Sequence, residues 1–393
     1  MNIVPSPKGP YDAYIVGAGP VGCVSAERLA REHGWRVLVV ERRDVPGGHC
    51  ADGIHPSGVF VHRYGPHYFR TREKWLLDYL SRFTEWLSGN YIVKVSYRGR
   101  LYPFPINLDT LSMFFGRDLS PDEARALLEE RTEKIASPAN SEEFVLSRVG
   151  RELYEAFYLG YTLKQWARHP RDLAASVCGR IPVRFDCRNT YIDHPYQLTP
   201  KEGFTRLFTR MLDHERIDVM LEVDWRDVRG SLPPARATVY SGPVDQYFDE
   251  CFGPLQYRSL RFDLVEYPVE FHQPCVQVNY PNEHDYTRSV EYKHITGQSC
   301  SNTVVAYEYP TFEGPPYYPI PAPDQQALYA RYRALAEREE RENGVYFRGR
   351  LARYVYLNMD EAMLEAFDCV ATIAARHGGA RPLARAAGAV AKP

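Results

Sequence analysis

Apolar positions run almost unbroken from Tyr11 to Val16, the pattern of a buried strand. Gly17-Ala-Gly-Pro-Val-Gly22 follows at once. Cys23 to Glu32 then has helical spacing, and Arg36-Val-Leu-Val-Val-Glu41 is a second apolar run. Strand, glycine turn, helix and strand make a βαβ unit. From Lys94 to Pro105 the pattern shortens into β pieces, Lys94-Val-Ser-Tyr and Arg100-Leu-Tyr-Pro-Phe-Pro, about the turn Arg98-Gly99. A helical region follows. There Ser120 is placed as an N-cap, with Pro121 at the first helical position and Glu123 completing a capping box. Another helix is expected through Glu142 to Tyr158. Residues 180–199 are polar, Tyr-rich and irregular, and Gly203 to Leu212 is helical again. Strand-like segments dominate Tyr257 to Tyr309, including Cys275-Val-Gln-Val-Asn-Tyr280 and Thr303-Val-Val-Ala-Tyr307. Pro315 to Pro323 is extended, and Gln325 to Glu340 is a long charged helix. Val345 to Val355 and a helix from Asp360 to Arg376 complete the pattern. The Ala/Gly/Arg-rich tail from Gly378 to Pro393 is expected to fray. There is no internal repeat.

A chain of 393 residues exceeds one simple core and points to two or three domains. Its 48 basic and 50 acidic residues nearly cancel, so neither nucleic acid nor an anionic membrane is expected as the main partner. No run approaches the roughly 20 apolar residues of a bilayer span. Met1 to Pro10 lacks the charged-then-apolar order of an export signal. The eight cysteines form no Cys-x-x-Cys pair and the histidines show no ligand spacing, so no metal site and no disulfide framework are expected. A cytoplasmic location with reduced thiols follows.

Gly17, Gly19 and Gly22 gain meaning from their setting. Gly17 permits the turn after the strand, Gly19 lets the backbone approach a pyrophosphate, and Gly22 lets helix and strand pack closely. The helix N-terminus offers unpaired N–H groups to the phosphates. Glu41 ends the second strand, where a carboxylate binds ribose hydroxyls. The plain alternative is a Gly-rich turn in a structural α/β domain. The continuation Glu41-Arg-Arg-Asp-Val-Pro-Gly47-Gly48 is similar to FAD proteins of the glutathione-reductase-like type. That likeness implies FAD rather than NAD, with Arg42 and Gly48 beside it.

Five further segments stand in order: Tyr64-Gly-Pro-His-Tyr-Phe-Arg-Thr71, Gly160-Tyr-Thr-Leu-Lys-Gln-Trp166, Arg180-Ile-Pro-Val-Arg-Phe185, Tyr286-Thr-Arg-Ser-Val-Glu-Tyr-Lys-His294 and Gly349-Arg-Leu-Ala-Arg-Tyr354. With lesser matches at Ser241-Gly-Pro-Val-Asp245, Tyr257-Arg-Ser-Leu-Arg-Phe262 and Pro316-Tyr-Tyr-Pro319, the chain resembles the UDP-galactopyranose mutases from residue 11 to about 370. The resemblance implies a flavin-dependent isomerase that interconverts UDP-galactopyranose and UDP-galactofuranose. In the family, N5 of the reduced FAD attacks the anomeric carbon and UDP leaves. The sugar ring opens on an iminium adduct, a different hydroxyl closes it, and UDP returns. A departing diphosphate calls for fixed cations, and arginine suits that task through its planar fork.

The resemblance carries roles over residue by residue. Arg184 and Arg288 match the arginines that clamp the pyrophosphate, and Tyr196, Tyr318 and Tyr356 match tyrosines that bind it. Phe157 and Tyr161 match uridine-binding positions, and Asn279 matches a nucleotide-contacting asparagine. Trp166 lies on the mobile loop that closes over substrate. His67 matches the histidine beside the flavin, and Arg350 the arginine near it. His67, Arg184 and Arg288 are the implied catalytic set. Taken singly, an arginine is a solvated charge and a tyrosine or tryptophan is packing.

Three positions depart from the common family form. Arg70 stands where histidine is usual, as it can in members that accept N-acetylated galactose, so Arg70 is expected to shift sugar tolerance. His49-Cys50 replaces Asn-Ala beside the cofactor. Leu357-Asn358 replaces Tyr-Asp. The expected fold is α/β with three parts. A discontinuous Rossmann-like FAD domain takes 1–90, 205–250 and 330–393, a helical insert takes 106–180, and an antiparallel sheet substrate domain takes 91–105, 181–204 and 251–329. The active site is expected where flavin, sheet and insert meet. An external reductant is implied, since no second glycine fingerprint for NAD(P)H is present, and a homodimer is the family habit. Alternatives are the same chemistry on another nucleotide sugar, such as UDP-N-acetylgalactosamine, a deoxy or pentose sugar, or a dTDP or GDP carrier. A true FAD oxidoreductase and a non-catalytic flavin module are the others. An oxidase, however, has no need of a diphosphate clamp.

Overall fold

The apolar runs predicted as buried strands, Ala13–Val16 and Val37–Val40, lie side by side in a six-stranded sheet. Its strands follow the order Asn2–Ile3, Ile217–Met220, Val37–Val40, Ala13–Val16, Ala237–Tyr240, Val345–Phe347, and every neighbouring pair is parallel. The inner strands are apolar throughout because a parallel sheet is covered on both faces. Helix Pro20–His33 begins with proline, which needs no N–H partner there, and stops at Gly34 in a left-handed cap with φ 65°. It packs against helix Met359–Arg376. The strands after residue 216 return to the first βαβ unit, which is the discontinuous Rossmann-like arrangement expected.

This is a computed structural model, and it describes residues 1–89, 91–179 and 181–378. Arg180 and the tail beyond residue 378, both named in the sequence reading, lie outside the described residues. Contacts divide the chain into two compact units. The first is Met1–Gly48, Thr205–Cys251 and the chain from Tyr332 on; the second is His49–Phe204 and Phe252–Arg331. Compactness thus draws a boundary at residue 48, where the sequence reading drew one near residue 90. Among the described residues no helix is long and apolar enough to cross a membrane, and no metal-holding cluster occurs.

The second unit is built on a seven-stranded sheet. Its order is Tyr318–Pro319, Tyr257–Tyr267, Thr303–Thr311, Arg288–Glu291, Gln277–Asn279, Val93–Tyr97, Arg100–Phe104, antiparallel except for the parallel pair of Gln277–Asn279 and Val93–Tyr97. The Arg98-Gly99 turn has positive φ at both residues, as a tight hairpin requires. Ser120 caps helix Pro121–Arg131 in the expected box with Glu123.

The expected 142–158 helix is instead three pieces. Helix Ser141–Tyr154 kinks at Gly150, whose φ of 77° and contact with the Arg131 carbonyl leave no room for a Cβ. A π-helical turn, Glu155–Leu159, follows, and then helix Gly160–Trp166. Within the irregular 180–199 stretch, strand Tyr196–Pro200 begins and lies between Phe69–Thr71 and Trp86–Ser88 in a small sheet. The core beneath the helices gathers Val93, Phe104, Leu111, Leu128, Leu153 and Val290.

Candidate active site

In the first unit, Gly17 and Ser241 stand just past the C-terminal ends of adjacent parallel strands. Here the chain's route across the sheet reverses, and such switch points are where α/β sheets bind ligands. The Ser241 hydroxyl donates to the Val16 carbonyl at 2.7 Å. A Cβ on Gly17 would overlap that hydroxyl, and a Cβ on Gly22 would overlap the Gly17 carbonyl. Gly48 brings its backbone against Gly19, where an added Cβ would stand 3.0 Å from the Gly19 Cα. The walls of this cradle are therefore backbone, opening on a helix N-terminus, and they fit a dinucleotide diphosphate. Glu41 is buried; its oxygens accept the Ala18 N–H at 2.7 Å and the Arg43 N–H at 2.9 Å. Each oxygen retains a lone pair for a ribose hydroxyl.

Two expected residues meet on the far loop of this unit. The Arg350 guanidinium lies 4.9 Å from the Tyr356 ring centroid and donates to the Leu357 carbonyl at 2.7 Å. Asn358 donates through its N–H and side-chain amide to Glu361, so it closes the N-terminus of helix Met359–Arg376. Asn358 therefore has a structural role at that helix start, one that aspartate could also fill.

In the second unit, strand register sets one row across the sheet: Val95, Asn279, Arg288, Glu308 and Phe262 are successive cross-strand partners. Glu308 follows Val304 and Ala306 on alternate positions of one strand, so it shares their buried face. Its carboxylate accepts the Arg288 Nε–H at 2.7 Å. Burial works against the Arg288 charge, but Glu308 together with the phenols of Tyr161, Tyr318 and Tyr91 more than offsets it and holds the guanidinium protonated. Burial pushes the Glu308 carboxyl up, and Arg288 pulls it back. Tyr91 donates to Gln277 at 2.6 Å, and Gln277 donates to the Asn279 oxygen at 2.7 Å. Asn279 is thereby oriented with its amide N–H2 as the group it can offer.

Tyr161 and Tyr318 lie within electrostatic reach of Arg288. Burial pushes the Tyr161 phenol up to about 12, with Arg288 partly opposing, so it stays an O–H donor at neutral pH. Trp166 is buried edge-on to Tyr318, with ring centroids 6.1 Å apart. Arg184 is buried on the adjoining 184–193 segment, donating to Thr190 at 2.6 Å and Asp193 at 2.9 Å. Phe157 packs among Tyr97, Tyr102 and Phe114 in the aromatic core. Arg70 and Tyr196 sit on the small sheet, Arg70 opposite Gln197 and Tyr196 opposite Thr71.

His67 reaches the same neighbourhood through its turn. Gly65, with φ 85°, lies against Glu308 and Phe262, and His67 Nδ1 is 2.9 Å from the Gly65 carbonyl. The His67 N–H donates to Nδ1 of the buried His62 at 2.9 Å. His49 stacks on Tyr317 at 4.4 Å. Sequence reasoning missed Glu308, Gln277, Tyr91 and His62. A lone acidic residue inside an apolar strand was the one available signal for Glu308.

The profile of the UDP-galactopyranose mutase family matches residues 156–356, and that of NAD(P)-binding Rossmann-like domains matches residues 15–83. A "Probable UDP-galactopyranose mutase" of Klebsiella pneumoniae is 39% identical over 363 residues, 90% of this chain and 92% of that protein. The chain belongs to the UDP-galactopyranose mutase family. It is therefore a flavin-dependent pyranose/furanose isomerase, and its cofactor is FAD. A "dTDP-fucopyranose mutase" of Escherichia coli is 33% identical over 366 residues, 90% of this chain and 96% of that protein. A solved structure of reduced UDP-galactopyranose mutase shares the fold with a TM-score of 0.73 at 15% identity, covering 94% of each chain.

Proposed function

We propose that this family member interconverts UDP-galactopyranose and UDP-galactofuranose while its FAD is reduced. The observation that carries the reading is the buried Arg288–Glu308 pair in register with Asn279, beside Tyr161 and Tyr318. A guanidinium fixed at one end by a buried carboxylate keeps its remaining N–H groups for a diphosphate, the group whose charge grows as the glycosidic bond breaks. Arg184 supplies a second fixed cation, the phenols of Tyr196, Tyr318 and Tyr356 donate to phosphate oxygens, and Tyr161 contacts the uridine. Phe157, Asn279 and Trp166 contact the nucleotide, and Arg70 faces the sugar. Gly17, Gly19, Gly22, Glu41, Arg42, Gly48, His67 and Arg350 hold the cofactor. Bound and reduced, FAD supplies the nucleophile that displaces the nucleotide from the sugar.

In this reading an external reductant keeps the flavin reduced, the protein works in the cytoplasm, and it does so as a homodimer. The three-part division of labour between FAD domain, helical insert and substrate sheet belongs to the same proposal. A true oxidoreductase would leave the arginine and tyrosine set without a purpose. A second reading, the same chemistry on a deoxy sugar carried by dTDP or on an N-acetylated sugar, is favoured by the E. coli relative and by Arg70.

The test is interconversion of nucleotide sugars followed by anion-exchange chromatography, with and without dithionite. UDP-galactofuranose, UDP-N-acetylgalactosamine and dTDP-fucose are offered in turn. Conversion of the UDP-galactose pair only under reduction is the expected result. Preferential conversion of another pair would move the assignment to the second reading. No conversion by FAD-loaded, reduced protein would refute both.

A further inference from the structure

Helix Gly160–Trp166 carries Tyr161 and Trp166. The loop 280–287 joins Asn279 to Arg288. Lys164, on that helix, points its ammonium group into this loop. It donates to the carbonyls of Glu283, His284 and Tyr286, each at 3.1 Å, and to that of Tyr280. A surface lysine is solvated; one that gathers four backbone carbonyls has exchanged water for the loop. Burial brings its ammonium down to about 8, with Asp285 and Glu283 opposing.

Two further ties join the same pieces. Asn282 donates to the Ala156 carbonyl at 2.9 Å, at the π turn where a helix leaves backbone groups unpaired. Gly160 abuts the Pro281 carbonyl so closely that a Cβ there would overlap it. From the other side, Arg258 donates to the Lys164 and Gln165 carbonyls at 3.1 and 2.9 Å. His284 takes a left-handed φ of 58° and stacks on Tyr286 at 4.6 Å, which shapes the loop whose carbonyls converge on Lys164.

We propose that Lys164 is a positioning residue: it ties the helix of Tyr161 and Trp166 to the loop between Asn279 and Arg288, and so sets these side chains at one spacing for the nucleotide. The proposal rests on the reading that Arg288 and Tyr161 bind UDP. Lys164 itself acts through the backbone and touches no substrate.

The experiment uses full-length, FAD-loaded protein and free UDP as the probe, in calorimetric titration. Lys164→Met is expected to weaken UDP binding about tenfold and to raise KM more than it lowers kcat. Lys164→Arg, which keeps donors on a long stem, is expected to recover part of the loss. In an Arg288→Lys background, Lys164→Met is expected to add little, because the two act on one contact. Backbone amides of 280–287 are expected to exchange faster in Lys164→Met. A variant with lower Tm, unchanged UDP affinity and additive effects would overturn the proposal, since that is the behaviour of a merely stabilising lysine. If Lys164→Met does not fold, Asn282→Ala removes another tie of the same loop and is expected to shift UDP affinity in the same direction; no shift would overturn it equally. Wild-type protein that binds no UDP would refute the functional reading instead, and hydrogen exchange would still decide the tie.

Discussion

His62 makes the second unit sensitive to mild acid. Its imidazole is stacked on Tyr292 at 4.9 Å and is buried almost completely. Burial, with His67 adding and the Gly65 backbone partly offsetting, lowers its pKa from 6.5 to about 3. Above 6.5 the ring is neutral in both folded and unfolded chains, and it contributes no pH dependence. Below 6.5 the unfolded chain takes the proton and the folded one does not, so stability falls with pH until the folded value near 3 is reached. The slope is roughly 1.4 kcal/mol per pH unit, which gives a loss of about 2 kcal/mol by about pH 5. Protonation would also remove the Nδ1 acceptor of the His67 N–H, the bond that seats the turn carrying His67. The perturbation is His62→Asn, whose side-chain oxygen can replace Nδ1 as acceptor but does not titrate in this range. Urea unfolding at about pH 7 and about pH 5, for both proteins, isolates the contribution from that of carboxylates. Wild type should lose about 2 kcal/mol more than His62→Asn between these conditions. Equal losses would refute the claim that His62 stays neutral in the folded state.

Four other outcomes are expected. Gly22→Ala, whose methyl would overlap the Gly17 carbonyl, should yield protein without bound flavin, seen as loss of the yellow absorbance. Arg288→Lys keeps the charge but loses the fork, and should lower kcat/KM by roughly 10²-fold; Arg288→Ala should in addition unfold more easily, by roughly 3–5 kcal/mol, because Glu308 is left buried without its partner. Arg70→His should narrow the range of sugars converted; unchanged relative rates on UDP-galactose and UDP-N-acetylgalactosamine would exclude a role for Arg70 in sugar choice.

The first unit was legible because its signals are local. An apolar run long enough to be a buried strand and three glycines at fixed offsets act within a few residues of one another. Ser120 and Glu123 were readable for the same reason. The interruption of the 142–158 helix was not, since Gly150 is a tolerable helix residue until the Arg131 carbonyl arrives from elsewhere in the fold. The short strands Asn2–Ile3 and Ile217–Met220 likewise have too few residues to show a period of their own.

Glu308 shows where local reading stops. In Thr303–Thr311 it is a single acidic residue among apolar and aromatic ones, and alternation alone assigns it the buried face that holds Val304 and Ala306. A carboxylate alone on such a face would be strongly disfavoured, so the pattern calls for a cation opposite it. Which cation is a matter of strand register, and register here is set by the pairing of Arg288 with both Asn279 and Glu308. Family motifs picked out Arg288 and Asn279 as ligand contacts without indicating what holds them still. The row explains that. Arg288 is kept charged and immobile by Glu308, Asn279 is turned by Gln277 and Tyr91, and these supports are buried residues that would otherwise pass for sheet packing. If this row serves only to hold the diphosphate contacts still, substrate choice should depend on residues outside it, and the Arg70→His exchange tests that directly.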